Sequence, residues 1–177
     1  MRTPRIARAL RWAVGLSIVA ASATGSLLFA QPHGPQGRGR MMGDPGHMAD
    51  MQLIHELLDN GSKVTRTVTM RADGVETLTE SDDPAIAKAI QEHVASMYSR
   101  VTEGRPIHMR DPLFRAIFEH ASQITLSHVQ TPRGIKVTET SSDPYVVKLI
   151  QAHAEVLNAF IKNGHAEAMR NHEVPSR

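Results

Sequence analysis

The chain has 177 residues, no cysteine, 20 Lys+Arg against 18 Asp+Glu, and ten histidines. Absence of cysteine removes disulfides, thiolate nucleophiles, thiolate zinc and iron–sulfur sites, and the C-x-x-C-H attachment of c-type haem. Four arginines (Arg2, Arg5, Arg8 and Arg11) precede the first apolar run, so the remainder carries 16 Lys+Arg against 18 Asp+Glu and its charge points to neither nucleic acid nor anionic membrane as a partner.

Residues 1–30 read as a secretory signal peptide, because that basic start leads into an apolar, small-residue run from Trp12 to Ala30. Cleavage fits after Ala23 in AASA or after Ala30 in LLFA, and export places the protein in the periplasm or outside the cell. Left uncut, about 19 apolar residues are just long enough to span a bilayer, which would leave an inner-membrane anchor facing the periplasm. Residues 31–47 combine Gly, Pro, Met, His and polar residues without apolar periodicity and read as a flexible tether.

Beyond the tether, Leu53 to Pro106 overlays Leu113 to Ala166 without a gap at a constant offset of 60. Twelve positions are identical, among them Gly74 and Gly134, Ser81 and Ser141, Gln91 and Gln151, and His93 and His153. A match of this length indicates internal duplication, with residues 48–106 as the first repeat, 107–166 as the second and 167–177 as a C-terminal tail.

Each repeat reads as helix, strand, strand, helix. The spacing of Ile54, Leu57 and Leu58 predicts a first helix near Asp50 to Asn60, stopped by Asn60-Gly61, and its counterpart opens with Asp111 as cap and Pro112 in the first helical position. Alternating, β-branched segments broken at Asp73-Gly74 and at Pro132 to Gly134 predict two hairpins. The closing helices begin at a repeated Asp-Pro, with Asp83 and Asp143 as N-caps. Their apolar stripes run through Ile86, Ile90, Val94, Met97 and Val101, and through Val146, Ile150, Ala154, Leu157 and Ile161, before Gly104 and Gly164 end them. Neither hairpin can bury its apolar face alone, so the expected fold is α+β, one four-stranded antiparallel sheet covered by helices.

His93 stands three residues after Ile90 and four before Met97, on the buried edge of its stripe, and His153 stands in the same relation to Ile150 and Leu157. If the closing helices meet near a pseudo-twofold axis, the two imidazoles approach one point from opposite sides. Two neutral imidazoles are the axial pair of a haem iron, or half of a copper or zinc sphere. Met97 and His128 are the candidate neighbouring ligands, His128 because it shares the inward phase of Ile124 and Leu126. The plainer alternative is that each histidine bonds a backbone carbonyl or a threonine of its own hairpin, with no cofactor at all.

A second set lies at the chain ends: Met48, Met51 and His55 at helical spacing, and His165, Met169 and His172 likewise. Thioether with imidazole favours Cu(I) where thiols are absent, whereas ordinary packing of Met51 and solvated histidines is the alternative. The acids of TESDDP are explained by capping, and no nucleophile elbow or phosphate loop is present.

These features describe an exported binding protein rather than an enzyme, holding a metal ion or non-covalent haem b between two pseudo-symmetric repeats. The runner-up is an envelope protein-interaction or stress-response module without cofactor, its partners on a polar sheet face carrying Thr65, Thr67 and Thr69. An enzyme using His93 or His153 as a base is the third reading, without a nucleophile or oxyanion motif to support it.

Overall fold

The structure, a computed structural model, describes residues 44–177. The signal peptide and most of the tether lie outside the described residues.

Every long helix starts with the same device. Helices α1 (Pro45–Asp59), α2 (Pro84–Glu103), α3 (Pro112–Glu119) and α4 (Pro144–Asn163) each follow an aspartate in extended backbone, and a proline opens each one. The carboxylates of Asp44, Asp83, Asp111 and Asp143 accept the N–H of Gly46, Ala85, Leu113 and Tyr145 at 3.0, 3.0, 2.9 and 2.8 Å. Each cap contributes about 1 kcal/mol, and the proline sits where no N–H is needed. Helix α1 therefore begins at Pro45, inside the segment expected as tether and five residues before the Asp50 given by apolar spacing. A buried ion cluster holds that first turn: Arg100 of α2, 1% exposed, pairs with Asp50 and with Asp44 at 2.9 Å, and Asp50 also accepts from Ser96.

Strands β1 (Thr65–Arg71) and β2 (Gly74–Glu80) form one hairpin, and β3 (Thr125–Thr131) and β4 (Gly134–Thr140) the other. They join in one antiparallel sheet of order β1-β2-β4-β3. The central pair has Thr77 opposite Val137, with Gly74 opposite Thr140 and Glu80 opposite Gly134, so its register maps onto itself under the sixty-residue offset. A Cβ on Gly74 would fall 1.9 Å from the Glu139 carbonyl oxygen, and one on Gly134 2.0 Å from that of Thr79. Only glycine admits this approach of β2 to β4.

The described residues thus form an α+β fold of five helices, the last being the short α5 (His165–Ala168), and a four-stranded antiparallel sheet packed against helices. The closing helices cross over. Ile86 and Ile90 of α2 pack on Ile135 and Val137 of β4, whereas Val146, Ile150 and Ala154 of α4 pack on Val75 of β2. Chain geometry dictates this exchange: β2 ends beside the β3–β4 turn, where the Ser81 N–H donates to the Arg133 carbonyl at 2.9 Å, and the Ser141 N–H donates to that of Asp73 at 2.9 Å. Helix α1 packs on α2, and Leu113, Ala116 and Ile117 of α3 pack on Leu149 of α4. The other sheet face is open and mostly polar, with Thr65, Thr67, Thr69 and Ser127 exposed on it beside the 67% exposed Val129.

Candidate binding site at the closing helices

The sheet presents a helix-facing central row of Val68, Thr77, Val137 and His128, one residue from each strand. Helices α2 and α4 lie above it and carry His93 and His153. Both residues are half-buried overall, and the Nδ1 atom of His93 is sealed from solvent without a hydrogen-bond partner among the described residues. Burial pushes the His93 pKa down to about 4 against the opposing charge of Asp50. Burial also takes His153 down to about 4, helped by the positive charges of Arg66 and His93 and opposed by Asp111. Each ring is therefore neutral at physiological pH, and the unpartnered Nδ1 of His93 leaves that imidazole with an unused polar atom.

His128 faces the helices, as the strand alternation predicts. Its Nδ1 is buried without a partner among the described residues, and its ring meets Tyr98 edge-on at 5.3 Å. Met97 is half-buried one turn beyond His93. Among the described residues no group of three or more His, Asp or Glu side chains is arranged to hold a metal ion.

The second half places one ring of an aromatic cluster against its histidine. Phe114 meets His153 edge-on at 5.1 Å and stacks on Phe160 at 5.8 Å, 7° from parallel, and His108 packs against Phe114 at 4.7 Å. In the first half the positions matching Phe114 and Phe160 hold Ile54 and Arg100, so the two environments are not equivalent.

The chain-end candidates separate into two places. His55 and His165 meet edge-on at 5.3 Å on the surface, with His165 Nε2 2.9 Å from an Asp59 oxygen. Met48 and Met169 are 69% and 67% exposed, Met51 is half-buried, and the Met169 carbonyl accepts from Arg110 at 3.2 Å. His172 lies elsewhere, with Nδ1 2.5 Å from Asp111 and Nε2 3.2 Å from Glu167, against the Phe160 ring.

Two charged residues beside His153 escaped the sequence reading. Arg66 of β1 reaches under α4, where its guanidinium donates to the Ala154 carbonyl at 3.1 Å and to Asn158 Oδ1 at 2.8 Å. Glu139 of β4 also lies on the helix side of the sheet, and burial pushes its carboxyl up to about 7 although Arg66 opposes the shift. The available signal was their phase, since both occupy inward positions of alternating strands where the other half has Leu126 and Thr79.

Two open grooves lie at the sheet ends, one lined by Ser62, Lys63, Glu80, Asp83 and Arg133, the other by Ser122, Gln123, Thr140 and Ser141. Neither is lined by a histidine. Comparisons with known protein families, with curated proteins and with solved structures find no match to this chain.

Proposed function

We propose that the chain is an exported binding protein, built by duplication of an αββα unit, that holds a metal ion or a haem group at His93 and His153. The observation carrying this reading is the pair itself: two neutral, desolvated imidazoles at matching positions of α2 and α4, with His93 Nδ1 unpartnered among the described residues. A buried histidine kept only for packing is ordinarily hydrogen-bonded, whereas a ligand position needs a free lone pair. The basic and apolar N-terminal segment supports export to the periplasm.

Iron, copper and zinc measured by mass spectrometry on protein exported by its own signal, beside the His93→Ala/His153→Ala double variant, test the proposal. The expected result is near-stoichiometric metal that the variant loses. Metal absent from both proteins, with none taken up on incubation, would refute it. The open sheet face, with Thr65, Thr67 and Thr69 exposed, favours the second reading, an envelope interaction module without cofactor. On that reading the double variant changes stability and leaves partner association intact.

A further inference from the structure

We infer that β3 is a self-pairing edge: a second copy of the chain adds its own β3 antiparallel to this one, about a twofold axis at His128, and the two four-stranded sheets become one.

The strand order leaves β1 and β3 at the sheet edges, each paired along one side only among the described residues. Such an edge offers a row of free N–H and C=O groups to any strand that fits, and proteins ordinarily guard it with charge, proline, a bulge or a covering element. Duplication lets the two edges be compared at matching positions. Strand β1, TRTVTMR, is guarded: Arg71 is exposed on it, and Arg66 is tied to the Ala154 carbonyl and Asn158 of α4. Strand β3, TLSHVQT, holds no charged residue, proline or glycine, and it follows β4 from Thr125 to Thr131 without a bulge. Apolar surface flanks it on both sides of the sheet. Val129 is exposed on the open face, and the exposed Tyr98 meets His128 on the helix face.

The occupant that fits is the same strand. Antiparallel pairing about His128 sets Thr125 against Thr131, Leu126 against Gln130 and Ser127 against Val129, with His128 facing its own copy. Threonine pairs close both ends, and no lysine, arginine or carboxylate is brought opposite another. Alternation keeps Ser127 and Val129 on the open face and Leu126 and Gln130 on the helix face in both copies. With the axis perpendicular to the sheet, both helix layers lie on one side, and the open face with Thr65, Thr67 and Thr69 continues across the pair on the other. A contact confined to one strand edge buries little area, so the pairing is concentration-dependent, with an affinity of about 1–100 μM.

Sedimentation velocity on the full mature chain, from about 1 μM to about 500 μM, tests this. The chain is expected to pass from monomer to dimer over that range. Ser127→Lys/Val129→Lys places lysines opposite one another across the axis and should weaken the dimer at least about tenfold. Thr67→Lys/Thr69→Lys, the same change at the matching positions of β1, should leave the dimer intact. All four side chains are exposed, so the variants should keep the wild-type circular dichroism. Register is read by disulfides in a chain that has no cysteine of its own. Under oxidation Ser127→Cys and Val129→Cys chains should cross-link to each other in preference to themselves, because only the mixed pair stands directly opposite. Monomer at every concentration would overturn the inference. So would a dimer that the β3 lysines leave intact, or one that the β1 lysines also dissolve, which would indicate β3 of one copy against β1 of the next in an open row. Preferential cross-linking of either cysteine chain with itself would overturn the pairing about His128.

Discussion

Gln91 and Gln151 clasp each other's halves. The Gln91 amide donates to the carbonyls of Thr131 and Gly134 at the β3–β4 turn, at 2.9 and 3.0 Å, and Gln151 donates to those of Arg71 and Gly74 at the β1–β2 turn, at 3.0 and 3.3 Å. Each closing helix is thereby fastened to the hairpin it covers, which belongs to the other half of the chain.

Replacing Gln91 by Ala leaves two turn carbonyls without their side-chain donor, and the expected cost is about 1–2 kcal/mol. Gln151→Ala should cost about as much, and because the two clasps share no partner the double variant should be close to additive. Urea unfolding monitored by circular dichroism reads this directly. Sub-additive loss would mean that release of one clasp already frees the other.

The cluster of Arg100, Asp50 and Asp44 makes a second prediction. Arg100→Met leaves two carboxylates in or near the interior without their cation, a loss of about 3–5 kcal/mol for a broken buried pair. Position 160, its match in the second half, holds phenylalanine, which shows that this place in the fold accepts an apolar residue. Combining Arg100→Met with Asp50→Leu should therefore recover part of the loss in equilibrium unfolding. A double variant less stable than Arg100→Met alone would show that the cluster fixes the start of α1 by more than charge balance.

The buried titratable groups give a pH profile whose sign can be worked out. His93 and His153 have folded-state values of about 4 against 6.5 unfolded, so their contribution is fully present above pH 6.5 and is lost as pH falls toward 4. His108, also lowered by burial, acts in the same direction. Glu139, raised from 4.5 to about 7, works oppositely: its contribution is full below pH 4.5 and is lost as pH rises through 7. Between pH 4.5 and 6.5 the unfolded chain binds a net excess of about one proton from His93, His153 and Glu139 together. Unfolding free energy measured across that window should rise with pH, more steeply in Glu139→Gln, whereas in the double histidine variant, where Glu139 is opposed only by His108, the rise should be lost or reversed. An unchanged slope in either variant would contradict the assignment.

The strands and closing helices were legible because two independent signals agree on them, alternation or helical spacing within each half and the match between halves. Ser81, Gln91 and Gly74 with their partners could be seen as repeated, but their roles emerge only once α2 is known to cross to β4. Periodicity names the buried face of a helix, never the hairpin it covers. The start of α1 was missed because Gly46, His47 and Met48 carry no apolar stripe, although Asp44-Pro45 is the same start signal that was read correctly at Asp83, Asp111 and Asp143. His128 was placed inward by its phase, whereas Arg66 and Glu139 share that inward phase and yet are of the residue types that ordinarily face water. His172 illustrates the remaining limit: a terminal residue offered as a secondary metal candidate, with solvation as the alternative, is half-buried because Asp111, 61 positions earlier, and the nearby Glu167 engage its ring.

That histidine supports the last prediction. Residues after α5 run back over the second half, and His172 closes between Asp111, 1% exposed, and Glu167. Farther on, the Ser176 carbonyl accepts from Lys148 at 3.1 Å, and the Arg177 guanidinium lies 4.6 Å from the Tyr145 ring centre, both on the surface. Removing residues 173–177 deletes these surface contacts together with the half-buried Pro175 and should cost about 1 kcal/mol. His172→Ala leaves the buried Asp111 with the α3 cap, the backbone N–H of residue 172 at 3.4 Å and the His108 ring at 4.0 Å, and should cost about 1–3 kcal/mol. The two variants, compared by chemical unfolding and by limited proteolysis of the C-terminus, separate the anchor from its overhang. Equal loss in both would move the anchor to Arg177 and Tyr145, whereas early cleavage near Arg170 in His172→Ala alone would identify His172 as the residue that holds the segment down over Phe160.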